Sequence, residues 1–239
     1  MFTYVALHLV NHSLGLVSVA VAESALRWAV RVWHSPPGSV LLYGAAFLHL
    51  GLALDAIYTR RWPRLMSLDM LRLAFGFGIP VLLIGHIVGT RVAWELYSQP
   101  SQYSRVVWSL WIARDQGRQL ALLVPGWAHG CLGIHLAASH LAWYRRWRRP
   151  LFAAALMLPA LGAAGFFAMG KELAGNASIR AQLDAGLMLS DSGNMVLLHL
   201  RESLVAFYFI ALATVFIARG FRSSLERRSR DSESSSNVH

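Results

Sequence analysis

Apolar residues fall along the chain in about six stretches of roughly 20, each closed by a polar or Pro/Gly-marked break. The stretches lie near 2–26, 39–59, 70–96, 118–143, 150–170 and 195–218. The first break, His34-Ser35-Pro36-Pro37-Gly38, holds two prolines that remove backbone donors and fix φ. The second is Arg60-Arg61-Trp62-Pro63-Arg64 and the fourth runs from Arg145 to Pro150. The longer third and fifth connections, Tyr97 to Gly117 and Lys171 to Asn194, leave room for short interfacial helices. Trp108 and Trp111 in the third suit a headgroup belt, where an indole keeps one edge wet. This pattern predicts an all-α integral membrane protein of six spans, with no fixed-period repeat.

Composition agrees with lipid as the main solvent: 56% of the 239 residues are hydrophobic and 14% charged, against about 25% charged in soluble domains. The one cysteine, Cys131, cannot supply an iron–sulfur cluster, a structural zinc site or an intrachain disulfide. The net charge of +10 suggests nucleic acid until the charges are sorted by side. In a six-span arrangement Arg60, Arg61, Arg64, Arg72, Arg145, Arg146, Arg148, Arg149, Arg219, Arg222, Arg227, Arg228 and Arg230 share one face. That face holds 13 basic and 5 acidic residues, net +8, and the opposite face holds 9 and 7, net +2. The positive-inside rule makes the first face cytoplasmic, with both termini on it, and the charge needs no nucleic acid. A membrane domain over 1–219 is followed by a basic, Ser-rich tail over 220–239, expected to be disordered or a linker. The first stretch lacks a basic leader and carries His8, Asn11 and His12, so it does not read as a secretory signal.

Eight of the ten histidines (His8, His12, His49, His86, His129, His135, His140 and His199) fall within the expected spans. A lone intramembrane histidine usually serves as interhelical hydrogen-bonding glue, but several at matched depth on different helices suggest more. Two imidazoles facing across a bundle are the ligand set of a six-coordinate b-type haem, and no CxxCH is present for c-type attachment. His49 precedes Arg60 by eleven residues and His135 precedes Arg145 by ten, a matched depth of about 15 Å. His12 precedes Glu23 by eleven residues and His86 precedes Glu95 by nine, which makes a second pair toward the other side. His8 lies one turn before His12, so either serves as the first-span ligand. His129, six residues from His135 and about 120° around the helix, lines a quinone pocket, holds a propionate or replaces His135. Gly85, Gly89, Gly130 and Gly133 flank these histidines and let a flat ring approach the backbone. Arg91 is the first candidate for a haem propionate, with Arg118 and Arg27 as alternatives. His140 and His199 read as snorkelling or polar-packing groups, Arg201 and Glu202 as polar groups facing the bundle or an interfacial partner, and Asp55 as a candidate for a proton or quinone site.

Several segments resemble a known family: Tyr4-Val5-Ala6-Leu7-His8-Leu9-Val10-Asn11-His12-Ser13-Leu14-Gly15-Leu16, Phe47-Leu48-His49, Ile79-Pro80 through His86 to Arg91, Trp127-Ala128-His129-Gly130-Cys131-Leu132-Gly133-Ile134-His135, and Leu158-Pro159 through Phe166. The family is the six-helix dihaem-b membrane anchor of bacterial class III adenylate cyclases, itself similar to the dihaem cytochrome b subunit of succinate dehydrogenase and fumarate reductase. The resemblance covers about residues 2 to 170 and implies a haem-binding core from the first four spans, with two spans added. It implies two b haems on His12, His49, His86 and His135, quinone as redox partner, and a bacterial inner (plasma) membrane. Its output would be redox control of cyclic-nucleotide synthesis through a cyclase domain. The sequence to His239 carries no cyclase catalytic domain and no cysteine-rich ferredoxin-like segment, so an anchor or a free-standing subunit is expected, with homodimer formation open. The competing expectation is an electron-transfer anchor for soluble dehydrogenase subunits. A small transporter using His and Asp relays is disfavoured, since no paired broken-helix signature is present.

Overall fold

A computed structural model describes residues 1–59, 67–186 and 191–236, with the backbone alone at 67, 186, 191 and 227–236. Arg60, Arg61 and Arg64 of the second break lie outside the described residues, as do the side chains of Arg227, Arg228 and Arg230. All regular structure among the described residues is helical. The order is α1 (Phe2–Ser13), α2 (Val19–Trp33), α3 (Pro36–Thr59), α4 (Ser67–Ile87), α5 (Ala93–Tyr97), α6 (Tyr103–Ile112), α7 (Gln116–Ala138), α8 (Ala142–Gly175), α9 (Ala177–Gly186) and α10 (Asp191–Ser236). A π-helical turn, Val88–Val92, joins α4 to α5 without a break.

Five of these segments are long and apolar enough to cross a membrane: Pro36–Thr59, Leu68–Tyr97, Gln116–Ala138, Ala142–Gly175 and Ser192–Glu226. Their outer faces carry exposed Val40, Phe47, Phe152, Phe207, Ile210 and Phe221, apolar surface that lipid covers. The chain is an all-α, multi-pass membrane protein.

The expected first span does not form one helix. At twelve residues α1 is about 18 Å long, well short of a hydrocarbon core of about 30 Å. A 3-10 turn at Leu14–Leu16 follows it, and Ser18 then takes an extended conformation (φ −173°, ψ 162°) and restarts the chain as α2. Side chains satisfy the new N-terminus. Ser18 Oγ accepts from the Val21 N–H at 3.2 Å, and the Glu172 carboxylate of α8 accepts from the Val19 N–H at 2.9 Å.

Other boundaries also move. Pro36 and Pro37 open α3, because donors missing from a first turn have no intrahelical partner to lose. The fourth break sits at Ser139–Leu141, so Arg145 to Pro150 form the opening turns of α8. The loss of one donor at Pro150 does not stop that helix. Beyond Arg219, where a linker was expected, α10 continues to Ser236. The two long connections do contain short helices, α6 and α9. Trp108 is not an interfacial belt residue. It is buried with Val19, Ala22, Tyr103, Val107, Phe166, Met169 and Leu173, and its Nε1 donates to Asp184 Oδ1 at 2.7 Å.

Close packing places α1 against α8. A Cβ at Gly165 would run into the His12 carbonyl oxygen, and one at Gly15 would stand 2.7 Å from the Gly165 carbonyl oxygen. At the other end of α1, Phe2 stacks on Trp127 (ring centres 4.9 Å apart) and lies over Gly130. Trp127 Nε1 donates to the Ala155 carbonyl at 2.7 Å, tying α7 to α8. Tyr208 Oη donates to the Phe77 carbonyl at 2.9 Å, tying α10 to α4.

Gly165→Ala is expected to destabilise the protein by about 1–3 kcal/mol, because the clash is with backbone. Gly175→Ala meets no atom within 4 Å and is expected to be tolerated. Thermal unfolding of the two variants in detergent checks the difference.

Candidate functional site

The histidines gather in two places, each between different helices. Toward the end of the bundle that carries Arg91 and Glu95, His8 on α1 faces His86 on α4 with ring centres 6.0 Å apart. His12 lies one turn beyond, its Nε2 3.2 Å from His8 Nε2, so one ring donates and the other accepts. Tyr4 stacks on His8 with ring centres 6.0 Å apart, and Tyr103 of α6 meets His12 edge-on at 4.9 Å. Three groups here are buried without a hydrogen-bond partner: His12 Nδ1, both amide atoms of Asn11 and the Tyr103 hydroxyl. Unpartnered buried polar atoms are rare in native proteins and call for an occupant or a role. Burial pushes the Tyr103 hydroxyl well above the usual phenol range, keeping it a neutral donor.

The second place is toward the basic end. His49 of α3 faces His129 of α7 with ring centres 5.9 Å apart. His129 Nδ1 lies 2.9 Å from the Arg72 carbonyl oxygen. A carbonyl only accepts, so Nδ1 carries the proton and Nε2 keeps a free lone pair. This outer hydrogen bond is the one that fixes the tautomer of metal-ligating histidines. Gly76 makes room for the ring: a Cβ there would stand 3.0 Å from His129 Cε1. His49 is exposed although it sits at the middle of an apolar helix, and an uncovered imidazole in hydrocarbon is unfavourable. Ten residues of α4 separate Gly76 from His86, so the two histidine pairs are about 15 Å apart along that helix.

The pairing differs from the depth count. His135 does not face His49; its Nδ1 lies 3.0 Å from the Tyr144 hydroxyl at the start of α8. His8 rather than His12 lies across from His86. His140 is exposed, and His199 is exposed with its Nδ1 3.9 Å from Glu202. Asp55 is exposed on α3.

Arg91 is committed at the helix ends: it pairs with Glu95 at 2.6 Å, donates to Ser39 Oγ at 3.2 Å, and lies over the Trp94 ring at 5.4 Å. Arg27 donates to Ser24 on its own helix. Arg118 pairs with Asp115 at 2.6 Å and reaches over Gly85, next to His86. Arg201, by sequence a generic polar group, arrives at the same glycine.

Among the described residues no three His, Cys, Asp or Glu side chains converge as a metal cage. A haem takes only two axial ligands, and an iron held between two imidazoles at metal–nitrogen distances of about 2 Å puts the ring centres about 6 Å apart. The His8–His86 and His49–His129 separations fit that requirement. Half-buried Gly78, Gly126 and Gly133 have no atom within 4 Å of where a Cβ would stand, which leaves space along α4 and α7 for a flat group. The histidine pairs, the free Nε2 and the open glycine faces therefore fit haem.

Comparisons with protein families, curated proteins and solved structures return no match to this chain.

The Glu23 carboxylate accepts from both the Ser104 N–H and Oγ at 2.8 Å, holding the first turn of α6 and hence Tyr103 against His12. Glu23→Ala is expected to destabilise the protein by about 1–3 kcal/mol, and Glu23→Gln, which keeps one acceptor, by less. Thermal melts of the pair, followed by tryptophan fluorescence, check the order.

Proposed function

We propose that the protein is a dihaem b-type membrane cytochrome that responds to the quinone pool and acts as a redox-sensing regulatory anchor of an adenylate cyclase. The observation that carries this reading is the pair of histidine couples, one toward each end of the bundle, each with ring centres about 6 Å apart. His8 and His86 would hold one haem, and His49 and His129 the other. His12 acts through its contact with His8, and Tyr144 orients His135. The Arg72 carbonyl holds the proton of His129 at Nδ1. When bound, haem iron supplies a one-electron couple, and hydrogen bonds to its ligands together with burial set the potential.

The six-helix anchor family supplies the sixth span, the cyclase output, the bacterial inner membrane and the cytoplasmic termini of this proposal. In that arrangement α1 and α2 together complete a crossing that neither makes alone. The unbroken run of α10 past Arg219 favours the sensor, since a continuous helix extends from the bundle well beyond the apolar segment. A second reading, an electron-transfer anchor of a succinate dehydrogenase or fumarate reductase type, rests on the same stacked pairs, which also suit a path across the membrane. The partner discriminates between them: a cyclase domain for the first, flavoprotein and iron–sulfur subunits for the second.

Protein purified after haem-replete expression is expected to give reduced-minus-oxidised b-type bands for about two haems per chain, reducible by a quinol analogue. Absence of a Soret band would reject both haem readings. His129→Ala is expected to remove about one haem while His135→Ala retains both. The reverse result would restore His135 as the ligand.

A further inference from the structure

Arg201 is a charge in an unusual place. It lies ten residues inside α10, is half-buried, and has no hydrogen-bond or ion-pair partner among the described residues. An arginine at that depth is retained only where something compensates it. Its neighbour Glu202 does not, since that carboxylate is exposed and lies beside His199. The side chain leads instead to Gly85 of α4. A Cβ at Gly85 would stand 3.6 Å from Arg201 Cδ and 3.1 Å from Arg118 Nη1. Two guanidinium-bearing side chains from α7 and α10 thus converge over one glycine, and the next residue is His86.

The local charge does not balance. Asp115 pairs with Arg118 at 2.6 Å and neutralises one cation, which leaves Arg201 in excess. Arg91, the candidate that sequence spacing favours, is already held by Glu95 and Ser39. A planar, forked donor of this kind matches a carboxylate.

We propose that Arg201, with Arg118 beside it, forms the carboxylate-binding clamp for the haem held by His86, receiving a propionate over the bare backbone of Gly85. This rests on the dihaem reading and adds a contact from α10 to the haem pocket. Arg201 is a positioning residue: its charge anchors one edge of the ring and disfavours extra positive charge on the iron, so it raises the potential of that haem alone.

The test uses the full chain in detergent, stripped of haem and titrated with either haem or haem dimethyl ester, which lacks the carboxylates. Arg201→Gln is expected to weaken haem binding at one of two sites by about tenfold or more and to leave ester binding unchanged. In the loaded protein, Arg201→Gln is expected to lower one midpoint potential and leave the other in place, with Arg201→Lys intermediate. Equal weakening for haem and ester would mean that Arg201 acts through packing and would overturn the clamp. Unchanged haem binding with both potentials unmoved would overturn it as well. Wild-type protein that binds neither would reject the dihaem reading itself, a result distinct from the other two.

Discussion

The contact on which the arrangement depends is the approach of α1 to α8 at Gly165. Two backbones meet there with no side chain between them, and the His12 carbonyl lies where a Cβ would otherwise be. Because α1 is too short to cross a bilayer, it is held by packing rather than by hydropathy. Phe2 on Trp127 holds one end, the Gly15 and Gly165 approach holds the other, and Glu172 fixes the start of the next helix. His8 faces His86 because α1 has that depth and rotation. A helix with this role is placed by its neighbours, which explains how a stretch interrupted by His8, Asn11 and His12 lies inside an apolar bundle.

Much of the fold is legible along the chain. The five long helices fall where apolar runs bounded by Pro, Gly or Arg put them, since hydrocarbon thickness fixes length and the backbone must satisfy its own hydrogen bonds. What is not legible depends on single polar atoms. Ser18 sits in Gly15-Leu16-Val17-Ser18-Val19, a run that looks continuous, and the break is visible only when Ser18 Oγ and the distant Glu172 are seen on the new N-terminus. The polar composition after Arg219 reads as a linker, yet polar residues with few breakers also suit a solvated helix, and α10 continues.

The histidines divide in the same way. Counting residues from charged boundaries gives depth, one coordinate of two. Rotation about the helix axis is the other, and it separates His129 from His135 by about 120°. The structure sends the first toward His49 and the second toward Tyr144. Arg201 shows the same limit for charge, because nothing near it in sequence points to Gly85, more than a hundred positions earlier. The contact arises because α10 runs antiparallel along α4, with Tyr208 bonded to Phe77 further down the pair.

The continuity of α10 has a mechanical consequence. At 46 residues it is about 69 Å long, more than twice the hydrocarbon thickness. A continuous helix conserves rotational phase, so a small twist about its axis where it meets α4 would arrive as a twist at Ser236. Sideways motion behaves differently: a tilt is multiplied by the distance from the pivot, and the remote end sweeps further than the part that drives it. By its length and continuity alone the helix has the geometry of a torsion rod and a lever at once.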